Sequence, residues 1–90
     1  MKTPLFPLGR LVTTPGALDA MSLLEMRTAL QAHQRGEWGD TEAEDSASND
    51  AAVREGGRIF SAYHTARGEK FWVITEADRS VTTVLLPDEY

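Results

Sequence analysis

The sequence predicts an α+β fold in which two or three N-terminal helices pack on one face of a three- to four-stranded antiparallel sheet. Apolar residues recur at helical spacing over 23–33, and three β-branched and aromatic runs follow from residue 59 onward. The loops between those runs are short, which favours antiparallel neighbours because parallel strands need long crossovers. Since 90 residues suffice for one hydrophobic core, we expect a single domain over 1–90.

The chain opens with a short strand and a turn of helix. Residues 8–12 are predicted to form an edge strand, after a start kept extended by two prolines. Thr14 is a suitable N-cap, and Pro15 suits the first helical position because its missing amide hydrogen is not needed there. A brief helical turn is therefore predicted over 17–21.

A longer helix is predicted to begin at Ser22. Ser22 and Glu25 match the capping box, in which each side chain accepts a hydrogen bond from the other residue's backbone amide. One apolar stripe is formed by Leu23, Met26, Leu30 and His33. Gly36 supplies a left-handed conformation that ends the helix. We expect His33, on this stripe, to be a buried and hydrogen-bonded side chain.

A third helix is predicted over 41–55. Thr41 and Glu44 repeat the capping-box pattern. A narrow alanine face for close approach to the sheet is formed by Ala43, Ala47 and Ala51. Serine and asparagine compete for the backbone in turns, so a break near Asn49 followed by a shorter helix is the alternative.

Three strands are predicted over 59–63, 71–75 and 81–86. Gly68 suits a positive φ in the first connection, residues 76–80 form a polar turn, and Pro87 ends the last strand. The middle strand is apolar on both faces, as in the centre of a sheet. An antiparallel meander is the expected topology.

Composition excludes several classes of function. Nine Lys and Arg stand against fourteen Asp and Glu, for a net charge of −5, which argues against direct binding to a nucleic-acid backbone. The chain has no cysteine, which removes disulfides, thiolate metal sites and cysteine nucleophiles. Glycine-rich cofactor loops and metal-binding histidine spacings are missing, so we expect no enzyme activity, no cofactor and no metal. Without a membrane span or a signal peptide, we expect a cytoplasmic protein.

Carboxylates are concentrated in one segment. Six acids and no base lie between residues 37 and 50, namely Glu37, Asp40, Glu42, Glu44, Asp45 and Asp50. One interpretation is a solvated helix face. The other is a partner-binding surface that offers carboxylates in place of phosphates to a basic nucleic-acid-binding host protein. Residues 42–50 would span roughly 12 Å of helix, enough for several phosphate positions. Divalent-metal binding is a third option, disfavoured because the EF-hand spacing is missing.

The turn over 76–80 is a second candidate contact, through Glu76, Asp78 and Arg79. Rigid strands on either side would hold these side chains in place. Ordinary turn chemistry is the alternative, with Asp78 bonded to Ser80 and Arg79 paired with Glu76 or Asp78. Trp38 is expected to anchor the core.

Two other classes of function stay open. A small nuclease or hydrolase could use His64 together with Arg79 and the acids of the 76–80 turn, although ribonucleases need a cationic surface to hold RNA. An oligomerising, antitoxin-like regulator could pair the edge near 8–12 with another chain. The chain is therefore expected to be a monomer or a homodimer.

The residues also resemble a known family. The segments LFPLGRLVTTPGAL (5–18), GEWGD (36–40) and WVITEADRSVTTVLLP (72–87), with Glu44, Asp45, Asn49 and 61–63, are similar to small "plasmid-related" proteins of bacterial plasmids and other mobile elements. Some members carry the label of a type I restriction-modification subunit. A methylase needs a cofactor-binding domain and a target-base pocket, and 90 residues without a glycine-rich loop offer neither.

The resemblance implies a setting in which a small acidic protein protects a mobile element from host defence, as anti-CRISPR and anti-restriction proteins do. We therefore expect a non-enzymatic inhibitor that binds a basic, nucleic-acid-handling host complex through its acidic residues.

Overall fold

A computed structural model describes residues 4–90, and residues 1–3 of the predicted 1–90 domain lie outside it. The fold is α+β. Its elements in chain order are β1 (Arg10–Thr13), α1 (Pro15–Ala20), α2 (Leu23–Gln34), α3 (Ala43–Glu55), β2 (Ile59–His64), β3 (Lys70–Thr75), β4 (Val81–Leu85) and a final 3-10 turn (Pro87–Glu89). The predicted strands and the first two helices lie within one or two residues of these bounds.

The sheet is mixed, with the strand order β1-β4-β3-β2. β2 pairs with β3, and β3 with β4, in the antiparallel sense. β1, however, runs parallel to β4, with Arg10 opposite Val81, so the prediction of a wholly antiparallel sheet is wrong. The physical reason is that three helices and two strands separate β1 from β4, so no short loop constrains their relative direction.

α1 and α2 pack on one face of the sheet, where side chains of alternate strand residues form the core. α3 lies along the outer edge of β2, and β1 precedes the helices, so the predicted packing of N-terminal helices on one face is met only in part. Under α1 and α2, the core consists of Ala17, Met21, Ala29, Phe71, Val73 and Val84. A second cluster, Phe6, Trp38, Ala52 and Ile59, lies between α3, the N-terminal segment and β2. Trp38 is 6% exposed, which confirms it as a core residue. The opposite face carries the contacting rings of Phe60, Trp72 and Tyr90.

Local capping sets the ends of α2. Ser22 Oγ accepts from the Glu25 amide and Glu25 Oε1 accepts from the Ser22 amide, both at 3.1 Å, which confirms the predicted capping box. Gly36 follows the helix with a φ of +81°, as predicted.

The start of α3 differs from the prediction. Glu42, not Thr41, is the N-cap residue, and its side chain makes no capping hydrogen bond. Thr41 instead hydrogen-bonds Ser46, with 2.7 Å between the two hydroxyl oxygens, so the predicted capping box of Thr41 and Glu44 is wrong. The helix continues through Asn49 without a break.

The inward face of α3 is formed by Asn49 and Ala52. Ala43 and Ala47 are exposed, so the predicted alanine face is wrong. Asn49 is 3% exposed. Its Nδ2 donates to the Phe60 carbonyl at 2.6 Å, and its Oδ1 accepts from the Phe60 amide at 3.0 Å. The side chain therefore satisfies both outward backbone groups of Phe60 on β2, which is the last strand of the sheet in residues 4–90.

Residues 38–40 cover the next outward-facing residue of that edge, Ala62. The Ala62 amide donates to the Trp38 carbonyl at 3.0 Å, and the Asp40 amide donates to the Ala62 carbonyl at 2.7 Å. Gly39 sits between them with a φ of +75°, and a Cβ there would lie 2.0 Å from the Ala62 oxygen. Only glycine allows this close approach.

Within residues 4–90, no helix combines the length and the apolar character that crossing a membrane requires.

The Asn49 side chain should contribute measurably to stability. Asn49→Ala removes both hydrogen bonds to the Phe60 backbone and leaves two partly buried polar groups without partners, so we expect the free energy of unfolding to fall by about 2 kcal/mol. Urea unfolding measures the change. The matched control is Ser48→Ala, an exposed neighbour on the same helix, whose effect should stay within about 0.5 kcal/mol. Equal effects of the two substitutions would contradict the assigned role of Asn49.

Candidate functional site

Four of the six clustered acids gather at the N-terminal end of α3. Asp40 belongs to the segment bonded to β2, Glu42 is the N-cap residue, and Glu44 and Asp45 lie in the first helical turn. All four side chains are exposed. We call Asp40, Glu42, Glu44 and Asp45 the acidic surface. Its backbone is held in place by the same contacts that close the edge of β2.

The acidic surface is largely uncompensated. Glu42, Glu44 and Asp45 form no ion pair with any described residue, and the nearest partner of Asp40 is His64, with Nε2 4.0 Å from Oδ2. Glu44 and Asp45 also interact favourably with the partial positive charge at the start of a helix, so the helix stabilises them where they are. Beside them, Asp45 lines a hollow of about 260 Å³ together with Ser48, Asn49, Arg58 and Phe60.

The other two acids of the cluster have internal partners. The Asp50 carboxylate accepts a hydrogen bond from the Trp38 indole at 3.0 Å, which ties α3 to the core tryptophan. The Glu37 carboxylate lies 2.8 Å from the Arg35 guanidinium. The part of the acidic surface from Glu42 to Asp45 extends roughly 5 Å along the helix axis. That length matches one or two phosphate positions per strand, fewer than the sequence predicted.

The turn over 76–80 lies apart from the acidic surface, beyond the C-terminal half of α3. Asp78 Oδ1 accepts from the Ser80 amide at 3.0 Å, which is the predicted turn bond, and hydrogen bonds from Ser80 lower the pKa of this carboxyl. Glu76 lies 3.5 Å from Arg58 rather than pairing with Arg79. The turn therefore does not extend the acidic surface.

Arg79 is half-buried, and its side chain points into the protein. Its guanidinium donates to the carbonyls of Ala52, Gly57, Glu76 and Ala77, at distances between 2.6 and 3.2 Å. It also lies over the Phe6 ring, 5.6 Å from the centroid. Arg79 thus joins the β3–β4 turn to the end of α3 through backbone carbonyls, instead of forming the expected ion pair with the carboxylate of Glu76 or Asp78.

His33 is fully buried, and both ring nitrogens are bonded. Its Nδ1 lies 2.6 Å from the Ser61 hydroxyl and its Nε2 lies 2.9 Å from the Thr75 hydroxyl. Thr75 in turn contacts the Thr82 hydroxyl at 2.7 Å, and Thr82 donates to the Leu8 carbonyl at 2.7 Å. We call these five groups the histidine chain.

The direction of the histidine chain fixes the tautomer of the imidazole. A carbonyl only accepts, so Thr82 donates to Leu8 and must accept from Thr75. Thr75 has then used its proton and must accept from His33 Nε2–H. The neutral ring consequently accepts from Ser61 at Nδ1. Burial, with a smaller contribution from the Arg79 cation, lowers the pKa of His33 to about 4.

A groove of about 350 Å³ lies between α2 and the ends of β2 and β3. Its floor is apolar, and its rim carries Glu25, Tyr63 and His64. The Glu25 carboxylate accepts from the Ala66 amide at 2.8 Å, which lowers its pKa. The Tyr63 hydroxyl donates to the Glu37 carbonyl at 2.5 Å, and burial raises its pKa to about 12. These two polar groups therefore serve the fold; sequence reasoning missed the groove because no local motif marks it.

The residues of the nuclease alternative are not brought together. His64 lies opposite Lys70 at one end of the β2–β3 pair, whereas the 76–80 turn follows Thr75 at the other end. Five residues of strand separate the two ends by about 17 Å. No group of three or more histidine, aspartate or glutamate side chains in residues 4–90 could hold a metal ion.

Comparisons with known proteins returned nothing: this chain matched no protein-family model, no curated protein and no solved structure. The resemblance to plasmid-related proteins consequently stays a prediction.

The guanidinium of Arg79 should be needed for stability even when its charge is kept. Arg79→Lys retains one cation but cannot reach four carbonyls with a planar fork, so we expect the free energy of unfolding to fall by about 2 kcal/mol. Thermal and urea unfolding report the change. The matched control is Arg54→Lys, an exposed position in the last turn of α3. A variant as stable as this control would show that the four contacts contribute little.

Stability should depend on pH through His33. The folded-state pKa of about 4 lies below the ordinary 6.5, so the unfolded chain binds the extra proton first. The stabilisation is fully present above pH 6.5 and is lost as the pH falls, reaching a loss of about 3 kcal/mol near pH 4.

Urea unfolding between pH 7 and pH 4 tests this, with His33→Gln as the non-titrating reference that keeps all the carboxylates. The difference between the two proteins in how the free energy of unfolding changes with pH is the contribution of the His33 imidazole. An NMR titration of the His33 ring should give a midpoint near 4; a midpoint at 6.5 would contradict the buried assignment.

Proposed function

We propose that this protein is a non-enzymatic inhibitor from a mobile element that binds a basic, nucleic-acid-handling host defence complex of the restriction or CRISPR type. The acidic surface is its contact, and its carboxylates take the place of nucleic-acid phosphates. The observation that supports this proposal is the set of exposed, uncompensated carboxylates at the start of α3. The resemblance to plasmid-related proteins supports the setting.

The physical basis is electrostatic. A net charge of −5 attracts a positively charged channel over a distance of about one Debye length. Carboxylates that have no internal cation lose no ion pair when they meet lysine or arginine on a partner. A backbone fixed by the edge contacts of β2 also limits the entropy lost on binding. These three properties together favour fast, salt-sensitive association with a basic protein.

The test uses two triple charge reversals that change the net charge by the same amount. One is Glu42→Lys, Glu44→Lys and Asp45→Lys in the acidic surface. The other is Asp19→Lys, Glu69→Lys and Asp88→Lys, three exposed acids outside it that form no ion pair with described residues. We expect the first variant to bind its partner roughly 100-fold more weakly, at about 1 kcal/mol per reversed contact, and the second to bind nearly as well as the original protein.

The measurement is capture from a lysate of a host with intact restriction and CRISPR systems, identified by mass spectrometry and followed by DNA-cleavage assays with the purified complex. The original protein and the second variant should retain one stoichiometric basic complex, inhibit its cleavage of DNA, and release it as salt is raised. Equal capture and inhibition by the first variant would refute the proposal.

A further inference from the structure

The two edges of the sheet differ in whether other parts of the protein cover them. The outer side of β2 is closed by Asn49 and by residues 38–40. β1 forms the other end of the sheet, and within residues 4–90 its only strand partner is β4. Leu11 and Val12 on this strand are 54% and 41% exposed. An uncovered edge of this kind presents backbone donors and acceptors to another chain.

The register shows which backbone groups of β1 are available. The Arg10 amide donates to the Ser80 carbonyl, and the Thr14 amide donates to the Val84 carbonyl. Amides of a strand alternate in direction with a period of two residues, so those of Leu11 and Thr13 face away from β4. Their carbonyls face the same way. Each copy therefore offers two donors and two acceptors along its outer edge.

We propose that β1 pairs with β1 of a second copy of this chain, antiparallel about a two-fold axis at Val12. Leu11 of each copy then stands opposite Thr13 of the other, and the four outward groups of one strand meet the four of its mate as hydrogen-bonded pairs. Val12 faces its own counterpart in a β-branched, non-hydrogen-bonded pair. The two four-stranded sheets form one continuous sheet.

Charge favours a second copy as the occupant of this edge. The strand carries no carboxylate, and in the proposed register its one charged residue, Arg10, stands opposite Thr14 rather than another arginine. α3 and the acidic surface lie beside β2, at the far end of the strand order. Two chains of net charge −5 thus pair at the edge that lies away from their acidic surfaces. Beside this edge the Thr14 hydroxyl donates to the Glu89 carboxylate, which places a negative charge near Arg10 of the other copy. This pairing does not depend on the proposed function.

Cross-linking at the two-fold axis tests the geometry. Facing residues of a non-hydrogen-bonded pair have Cα atoms about 4.5 Å apart, within the range that a disulfide spans. The chain has no cysteine of its own, so Val12→Cys introduces the only thiol. On air oxidation at micromolar concentration we expect a covalent dimer, forming at least tenfold faster than with the control Leu23→Cys, whose position is 76% exposed on α2. Equal rates for the two variants would overturn the pairing.

The mass in solution is the second readout. Light scattering of the original protein should give twice the chain mass of 9.9 kDa, and Val12→Asp, which places two carboxylates at the axis, should return it to the mass of one chain. A single-chain mass at all concentrations, or a dimer that survives Val12→Asp in a folded protein, would each overturn the proposal. If Val12→Asp does not fold, the cross-linking rates decide. None of these substitutions touches the acidic surface, so failure here and failure of the proposed function are distinguishable.

Discussion

The fold depends on one buried imidazole and the polar groups that satisfy it. The histidine chain runs from Ser61 on β2 through His33 on α2 to Thr75 on β3, Thr82 on β4 and the Leu8 carbonyl of the N-terminal segment. A polar group inside a core is costly unless its hydrogen bonds are made, and here each member has a partner. In residues 4–90, no buried side-chain nitrogen or oxygen lacks one. Because the histidine chain links α2, three strands and the N-terminal segment, it favours one position of α2 relative to the sheet.

The acidic surface is positioned by the same contacts that cover the edge strand β2. An edge strand must be covered or it pairs with other chains. In this protein Asn49 and the 38–40 segment cover β2. The same contacts fix the backbone of Asp40 and the direction of α3, so the carboxylates around them have defined positions. The same contacts therefore protect the edge and display the negative charge, whereas at the opposite edge no strand of the described residues lies beyond β1.

Much of the fold could be predicted, because the strands and the first helices are specified by neighbours along the chain. The capping box at Ser22 and the turns at Gly36 and Gly68 depend on residues within about four positions, and all of them are present. The position of the acidic cluster could also be predicted from the sequence. The number of carboxylates that stay available to a partner could not. It depends on internal partners such as the Trp38 indole, which is 12 residues away from Asp50 in the chain.

The structural roles of two residues, Asn49 and Arg79, could not be predicted from the sequence. Asn49 looked like a helix breaker by its intrinsic preference, yet its amide is complementary to a backbone pair on a strand that folds beside it. Arg79 looked like an exposed turn residue, yet its Nη1 and Nη2 groups donate to carbonyls on α3, just after α3 and on the turn. Both interactions form only after distant segments meet.

By itself, the sequence determined the fold class, the order and approximate bounds of the elements, the net negative charge and the position of its densest carboxylates, because these follow from composition and short-range periodicity. Tertiary structure alone decided that β1 runs parallel to β4, which edge of the sheet is closed, and which acids stay exposed without an internal cation. Those outcomes depend on hydrogen bonds between residues far apart in the chain, whose geometry no local pattern encodes.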